Sequence, residues 1–86
     1  MITIELFGVP RLRAGRDVVT VEAASLGEAI LALAVECPAL APSVVQEGRL
    51  SPHHLIARNG LQITSDPALP LDPGDTLVLI SADAGG

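Results

Sequence analysis

Apolar and polar residues alternate along residues 2–7, at the start of the chain. A period of two is typical of a half-buried strand whose two faces differ. One face carries Ile2, Ile4 and Leu6, and the other carries Thr3, Glu5 and Phe7. Because Thr3 and Glu5 belong in water, we expect the first face to be buried. Phe7 is then expected on the exposed side.

The next two segments predict a loop and a second strand. Residues 8–15 contain two glycines and a proline, which is typical of a turn or loop. Residues 17–22 are rich in β-branched side chains and predict a strand. We expect this strand to pair with the first one as a hairpin.

A helix is predicted to begin at Ser25. Ser25 and Glu28 have the spacing of a capping box, in which each side chain satisfies a free backbone N–H group at the helix start. Pro38 ends the helix because it lacks the N–H that would continue the hydrogen-bond ladder. Apolar residues at helical spacing predict one buried face, made of Leu26, Ala29, Ile30, Leu33 and Cys37.

The second half of the chain predicts short strands between turns. Residues 38–53 are irregular, with short helical turns expected around residues 43–47. Asn59-Gly60 separates the predicted strands 55–58 and 61–64, and this dipeptide is a strong signal for a tight hairpin. The remaining predictions are a loop at 66–70, a turn at 72–75 and a last strand at 76–81.

This order of elements predicts an α+β fold. One helix must cover the apolar face of a mixed sheet of about five strands. The first and last strands are the natural central neighbours in such a sheet. We therefore predict a β-grasp, ubiquitin-like roll over residues 1–81, followed by a flexible C-terminal tail at residues 82–86.

Composition narrows the possible partners. The chain has 86 residues, a net charge of -5 and no lysine. An acidic chain is poorly suited to the phosphate backbone of nucleic acids, and its single aromatic residue, Phe7, offers no platform for stacked bases. It also has no apolar run of the length that a membrane span needs. We expect no nucleic acid or membrane partner, and a cytoplasmic location.

Side chains that could carry chemistry are few. Cys37 is the single cysteine, so no internal disulfide is expected, and its place on the apolar helix face predicts a core position. His53 and His54 are adjacent, and in an extended segment they point to opposite faces, which disfavours a shared metal. We expect no metal site, no bound cofactor and no catalytic activity of the chain by itself.

The end of the chain is chemically distinctive. Asp83 and Ala84 precede a final Gly85-Gly86, directly after the last predicted strand. Glycines have no Cβ atom, so such a tail can enter a narrow channel and adopt angles closed to other residues. The carboxylate of Gly86 would then be the reactive group, with Gly85 allowing the tail to be threaded. Small polar termini are also often simply disordered.

Three stretches resemble the MoaD/ThiS family of ubiquitin-like sulfur carriers. They are residues 6–15 after the first strand, residues 71–75 before the last strand, and Gly85-Gly86 at the end. The first stretch is similar in particular to the small subunit of molybdopterin synthase. In that family an aromatic residue, a small residue, an arginine and a glycine recur in the same places.

The resemblance implies a carrier cycle. A ubiquitin-activating-type adenylating enzyme uses ATP to adenylate the Gly86 carboxylate, and a sulfur donor such as a sulfurtransferase converts it to a thiocarboxylate. The large subunit of molybdopterin synthase then accepts the tail and its sulfur during molybdenum cofactor biosynthesis. The implied role is that of a sulfur-donating subunit, with ATP consumed by the partner enzyme.

Other functions share these features. Asp83 adds charge near the reactive end, where proline is frequent in the molybdenum-pathway carriers. The acceptor could instead belong to thiamine thiazole, cysteine, tRNA thiolation or specialised metabolite pathways. A ubiquitin-like protein modifier, or a β-grasp module that binds without covalent chemistry, are the further alternatives.

A docking surface is also predicted. If Leu77 and Leu79 face the core, Val78 and Ile80 face outward. They would then form an apolar patch with Phe7 at the root of the tail. With Ala84 in the tail, these residues are the predicted partner-binding site for both the activating enzyme and the acceptor.

Overall fold

The computed structural model describes residues 1–41 and 43–81, which form seven strands, two α-helices and one 3-10 helix. In chain order they are β1 (Ile2–Leu6), α1 (Val9–Ala14), β2 (Val18–Val21), α2 (Leu26–Glu36), the 3-10 helix (Pro38–Leu40), β3 (Val45–Gln46), β4 (Arg49–Leu50), β5 (His54–Arg58), β6 (Gln62–Thr64) and β7 (Thr76–Ser81). The predicted tail at residues 82–86 lies outside the described residues.

Five strands form one mixed sheet in the order β2-β1-β7-β5-β6. The central neighbours β1 and β7 run parallel, with Ile4 opposite Leu77 and Leu6 opposite Leu79. The other neighbours are antiparallel. Strands β3 and β4 form a separate two-stranded hairpin. This arrangement confirms the predicted β-grasp fold and the pairing of the first and last strands.

The core lies between the sheet and α2. Every second residue of β1 and β7 is buried, as the alternation predicted, while Thr3 and Glu5 are only partly covered. The predicted helix face is buried as well. The buried residues of these three elements and of the helix C-cap are Ile2, Ile4, Leu6, Leu26, Ala29, Ile30, Leu33, Cys37, Leu77 and Leu79. Burying each Ile or Leu side chain among them stabilises the fold by about 1.5–3 kcal/mol.

Helix α2 begins as the sequence predicted. The Ser25 hydroxyl accepts a hydrogen bond from the Glu28 N–H at 3.2 Å, and the Glu28 carboxylate accepts one from the Ala24 N–H at 3.3 Å. The second bond therefore reaches one residue beyond the usual partner in a capping box.

Neither α-helix of the described residues has the length and apolar character that a membrane span needs.

The loop predicted at residues 8–15 is wrong, because this segment contains α1. Gly8 (φ 64°) and Gly15 (φ 70°) lie just outside the helix, and Pro10 occupies its first turn. Proline is favoured there because its missing N–H has no partner in a helix anyway, and glycine is favoured just after a helix end. The Gly15 N–H donates to the Arg11 carbonyl at 3.0 Å and closes the last turn. The residues that suggested a loop are the boundaries of a short helix.

The helical turns predicted around residues 43–47 are also wrong. The β3–β4 hairpin forms instead, and Glu47 (φ 52°) and Gly48 (φ 76°) make its two-residue turn. Two successive positive φ values give the turn whose twist matches a β-hairpin. A Cβ atom at Gly48 would lie 3.3 Å from the Leu31 side chain, so the turn also packs tightly against α2.

The later turns follow the sequence more closely. Asn59 (φ 50°) and Gly60 (φ 71°) form the predicted turn between β5 and β6. The predicted strands 55–58 and 61–64 are shifted by one residue at their first positions, since β5 begins at His54 and β6 at Gln62. The last strand has the predicted bounds.

A hydrogen-bonded carboxylate joins the β5–β6 turn to the start of β7. Asp75 is buried, and its carboxylate accepts bonds from the Asn59 amide at 3.0 Å and the Arg58 guanidinium at 2.9 Å. It also accepts a bond from the Asp72 N–H at 2.9 Å. The Asn59 amide oxygen in turn accepts the Thr76 N–H at 2.8 Å. The side chains thereby fix the chain just before it enters the central strand.

These contacts hold the pKa of Asp75 below its ordinary value of 3.8. The Asn59 hydrogen bond is the largest cause, followed by the Asp72 N–H, while burial acts in the opposite direction and Arg58 adds to the lowering. A carboxyl group with a lowered folded-state pKa stabilises the fold above its unfolded pKa. That stabilisation is lost as the pH falls through the lowered value.

We therefore predict that Asp75→Asn is less stable than the wild type at pH 7, and that the difference shrinks below about pH 4. Urea unfolding at several pH values measures both. Asp17→Asn, which changes an exposed carboxylate, is the control for the loss of a negative charge and is expected to change the stability at pH 7 by no more than about 0.5 kcal/mol. A difference for Asp75→Asn that is the same at pH 7 and pH 3 would contradict this assignment.

Candidate functional site

The topology places the root of the tail at the centre of one sheet end. Ser81 is the last residue of β7 and lies opposite His54 of β5. On the other side, the Phe7 N–H donates to the Leu79 carbonyl at 3.3 Å. The segment that follows Ser81 therefore starts between the end of β1 and the start of β5. The predicted residues Ala84, Gly85 and Gly86 lie outside the described part of the chain.

The outer face of the sheet brings the three other predicted residues close together. Phe7 is 48% exposed, and Val78 and Ile80 are partly exposed. Leu6 lies opposite Leu79, so the next residues along the two parallel strands, Phe7 and Ile80, are neighbours on the outer face. Val78 lies one row further from the tail. The geometry is that of the predicted patch, whereas its role in docking stays a prediction.

The patch extends onto β5 and β6, beyond the three residues that the sequence predicted. Leu55 pairs with Ile80 and Ala57 pairs with Val78, both on the outer face of β5. Ile63 of β6 pairs with Ala57 and is 63% exposed. Alternation along residues 55–58 could have revealed Leu55 and Ala57, once Ile56 had been assigned to the core. We call Phe7, Leu55, Ala57, Ile63, Val78 and Ile80 the outer patch.

A groove of about 270 Å³ lies beside the tail root on the other side of β7, between α1 and the segment that leads into β5. Val9, Arg13, His53, His54 and Ser81 are among its lining residues. His54 is buried, with its Nδ1 atom 2.6 Å from the Ser51 hydroxyl, whereas His53 is exposed. The adjacent histidines thus differ in environment, but they do not share the extended segment that the sequence predicted, because His53 lies in a turn and β5 begins at His54.

Other chemistry is sparse among the residues that the structure describes. Within 1–41 and 43–81, no group of three or more His, Cys, Asp or Glu side chains is placed to hold a metal ion. Cys37 is 4% exposed and belongs to the core, as predicted. The notable chemical features are therefore an apolar sheet face and the strand that leads into the diglycine tail.

The fold and this exposed sheet face define a ubiquitin-like β-grasp domain. SAMP1 from Haloferax volcanii, a small archaeal modifier protein, superposes with a TM-score of 0.84 at 30% sequence identity, over 99% of this chain and 98% of that one. The chain belongs to the ubiquitin-like family of small modifier proteins represented by SAMP1. No protein-family model and no curated protein sequence matches it.

Two further structures share the fold at lower identity. A chain of the BexX/CysO complex of Amycolatopsis orientalis has a TM-score of 0.81 at 21% identity, with all of both chains covered. CysO from Mycobacterium tuberculosis has a TM-score of 0.79 at 18% identity, over 96% of this chain and all of that one. One of these relatives is therefore known in a complex with a second protein.

We predict that Phe7→Ala costs at most about 1 kcal/mol of unfolding free energy, as for a half-exposed surface side chain. The matched variant is Leu79→Ala in the neighbouring strand. Leu79 is fully buried, and its truncation is expected to cost about 2–5 kcal/mol. Chemical denaturation of both variants measures the contrast. Equal losses of stability would place Phe7 in the core and remove it from the candidate site.

Proposed function

We propose that this protein is a sulfur carrier whose C-terminal Gly86 carboxylate is the reactive group. The observation that carries the proposal is that the central strand β7 ends at Ser81, shortly before Gly85-Gly86 in the sequence, in a domain of the SAMP1 family. Anchoring β7 between two strands gives a rigid base, and the residues beyond Ser81 span up to roughly 16–18 Å when extended. That length is enough to reach a buried site in a partner.

The proposed chemistry needs an activating enzyme. A carboxylate is a poor electrophile, so a ubiquitin-activating-type enzyme uses ATP to form the Gly86 acyl-adenylate and releases pyrophosphate. Hydrosulfide released by a sulfur donor then attacks the carbonyl carbon, AMP leaves with the electron pair of the broken acyl–phosphate bond, and a thiocarboxylate results. The chain itself acts as a cosubstrate rather than as an enzyme, and ATP binds to the partner.

Within this role, we propose the small subunit of molybdopterin synthase. The support is the similarity of residues 6–15, which hold Phe7, Arg11 and Gly15, to that subunit. The large subunit would receive the tail and pass sulfur to a pterin precursor. Sulfur carriers of the other pathways share the same activation and differ only in the acceptor enzyme.

One observation favours a second function. SAMP1 of Haloferax volcanii, at 30% identity, is described as a small archaeal modifier protein. The same Gly86 adenylate could acylate a lysine amine of another protein, with AMP as the leaving group. Intact-mass analysis separates the two functions, because a thiocarboxylate exchanges one oxygen for sulfur whereas a modifier adds the mass of the target.

We predict that deleting Gly86, or adding one residue after it, abolishes adenylation while leaving the fold unchanged. A changed end no longer places the terminal carbonyl at the reactive position. The assay is pyrophosphate release and intact mass with the activating enzyme, ATP and a sulfide source. One extra residue before Met1, at the opposite end of β1 from the tail root, is the control. Full activation of the extended tail would refute the proposal.

We predict that Phe7→Ala weakens binding to the activating enzyme by about 1–3 kcal/mol, as for the loss of an interface anchor. The control is Leu61→Ala, because Leu61 is 92% exposed and lies in the β5–β6 turn, at the other end of β5 from the tail root. Isothermal titration calorimetry with the activating enzyme in the absence of ATP measures the binding free energy of both variants. An equal effect of the two substitutions would exclude the outer patch as the docking surface.

A further inference from the structure

Strand β2 forms an unprotected edge of the sheet. Within residues 1–41 and 43–81 it pairs only with β1, so these residues leave its other side open. Its sequence is Val-Val-Thr-Val, four β-branched residues without a charge or a proline. Natural edge strands usually carry a charged residue, a proline or a bulge, which prevents pairing with another chain. An edge without these devices is suited to accept a further strand.

The hydrogen-bond pattern shows which groups face the open side. The Leu6 N–H donates to the Asp17 carbonyl at 2.9 Å, so this pair is bonded across β1 and the start of β2. In an antiparallel ladder every second pair is bonded, which makes Val19 the next bonded residue of β2. The N–H and C=O groups of Val18 and Thr20 therefore point away from β1. They are the two pairs of main-chain groups that an added strand would meet.

A groove lies beside the last residues of β2, between this strand and α2. Its cavity volume is about 430 Å³, and Val21, Ala32 and Val35 contribute apolar surface to it. Val35 is 78% exposed although it belongs to a helix with a buried apolar face. Ala32 leaves space on the α2 side of the groove because its side chain is a single methyl group. Side chains of an added strand that point towards α2 would enter this apolar space.

The rim of the groove is acidic. Glu22 and Glu36 are lining residues, and each lies near a cation of the described part of the chain. The Met1 ammonium lies 3.9 Å from Glu22, and the Arg16 guanidinium lies 3.6 Å from Glu36. All four groups are well exposed, and ion pairs of this kind contribute little. A cation from a partner can therefore replace either one at small cost.

We propose that the β2 edge and its groove bind an extended segment of a partner protein by strand addition. Main-chain bonds to Val18 and Thr20 would align the segment, and its alternate apolar side chains would fill the groove. Lysine or arginine at its ends would meet Glu22 and Glu36. A second copy of this chain is a poorer occupant, since it carries the same charge of -5 and repels the first.

This site is distinct from the tail root. The groove lies at the end of β1 where Ile2 pairs with Val21, whereas the tail root lies at the other end, where Leu6 pairs with Leu79. Four strand steps separate these ends, roughly 13 Å. A partner held on the β2 edge would leave the outer patch and the diglycine tail accessible.

The test is a titration of the full-length protein with a capped peptide, Lys-Val-Thr-Val-Thr-Arg, followed by NMR. We expect saturable shifts and slower amide exchange at Val18 and Thr20, with a dissociation constant below about 1 mM. Exchanging both terminal cations of the peptide for glutamate is expected to weaken binding at least about tenfold. Equal binding of the two peptides would overturn the proposed charge match.

Two variants probe the edge and the groove separately. Thr20→Pro removes an N–H that faces away from β1, a change that edge strands tolerate, and is expected to abolish peptide binding. Val35→Lys replaces apolar surface at the groove with a cation that repels the cationic ends of the peptide, and is expected to weaken binding about tenfold, while Leu61→Lys, at an exposed apolar position outside the groove, leaves it unchanged. Because Val35 lies on the helix surface, this variant keeps the test valid if Thr20→Pro fails to fold.

The outcomes distinguish this proposal from the carrier function. Phe7→Ala is expected to bind the peptide like the wild type, and the peptide is expected to leave adenylation of Gly86 unchanged. Shifts centred on Phe7 and Ile80 would overturn the proposal, as would the absence of saturable shifts. A dimer in analytical ultracentrifugation, together with failure of the peptide to bind at β2, would also overturn the proposal. The β2 edge would then be assigned to a second copy of the chain.

Discussion

The parallel pairing of β1 with β7 is the constraint on which the rest of the structure depends. It brings the first and last described strands together, although the intervening chain includes α2 and both hairpins. A parallel pair needs a long crossover connection, and α2 within that connection covers the apolar side of the two strands. Ile4 beside Leu77 and Leu6 beside Leu79 then form the centre of the core.

The two ends of β7 are held by different contacts. At its start, Asp75 and Asn59 tie the strand to the β5–β6 turn through side-chain bonds, and the Asp75 carbonyl accepts the Thr3 N–H at 3.0 Å. At its finish, Ser81 pairs with His54 of β5, and the last bond on the β1 side is the one from the Phe7 N–H to the Leu79 carbonyl. Because these bonds fix the start of β7, and β1 and β5 hold the strand along its length, the sheet sets the position and direction in which β7 ends. A partner can therefore locate the tail by recognising the sheet.

Most of the fold was predictable because the sequence signals are local. The alternation in β1, the Ser25 cap of α2 and the Asn59-Gly60 turn each act over a few residues, and all three are present. The segments that were wrongly predicted depend on wider context. A six-residue helix between Gly8 and Gly15 is too short to show helical periodicity, and its glycines look like those of a loop.

The β3–β4 hairpin depends on tertiary contact rather than on local preference. Glu47 adopts a positive φ that its side chain disfavours, and Gly48 packs against Leu31. For the candidate site, the pairing of β5 with β7 had to be known before Leu55 and Ala57 could be added to the outer patch. Pairing between distant strands is what a sequence taken alone specifies least.

An exposed apolar sheet face favours association between copies of a small protein. The placement of charge opposes this association. Glu5 lies on the outer face between Val18 of β2 and Val78 of β7, so a carboxylate interrupts the row of apolar side chains that crosses the sheet. The net charge of -5 adds long-range repulsion between copies. A partner that covers this face must supply a donor or a cation opposite Glu5, or leave that carboxylate in water. The charge that keeps copies of the protein apart therefore also contributes to the choice of partner.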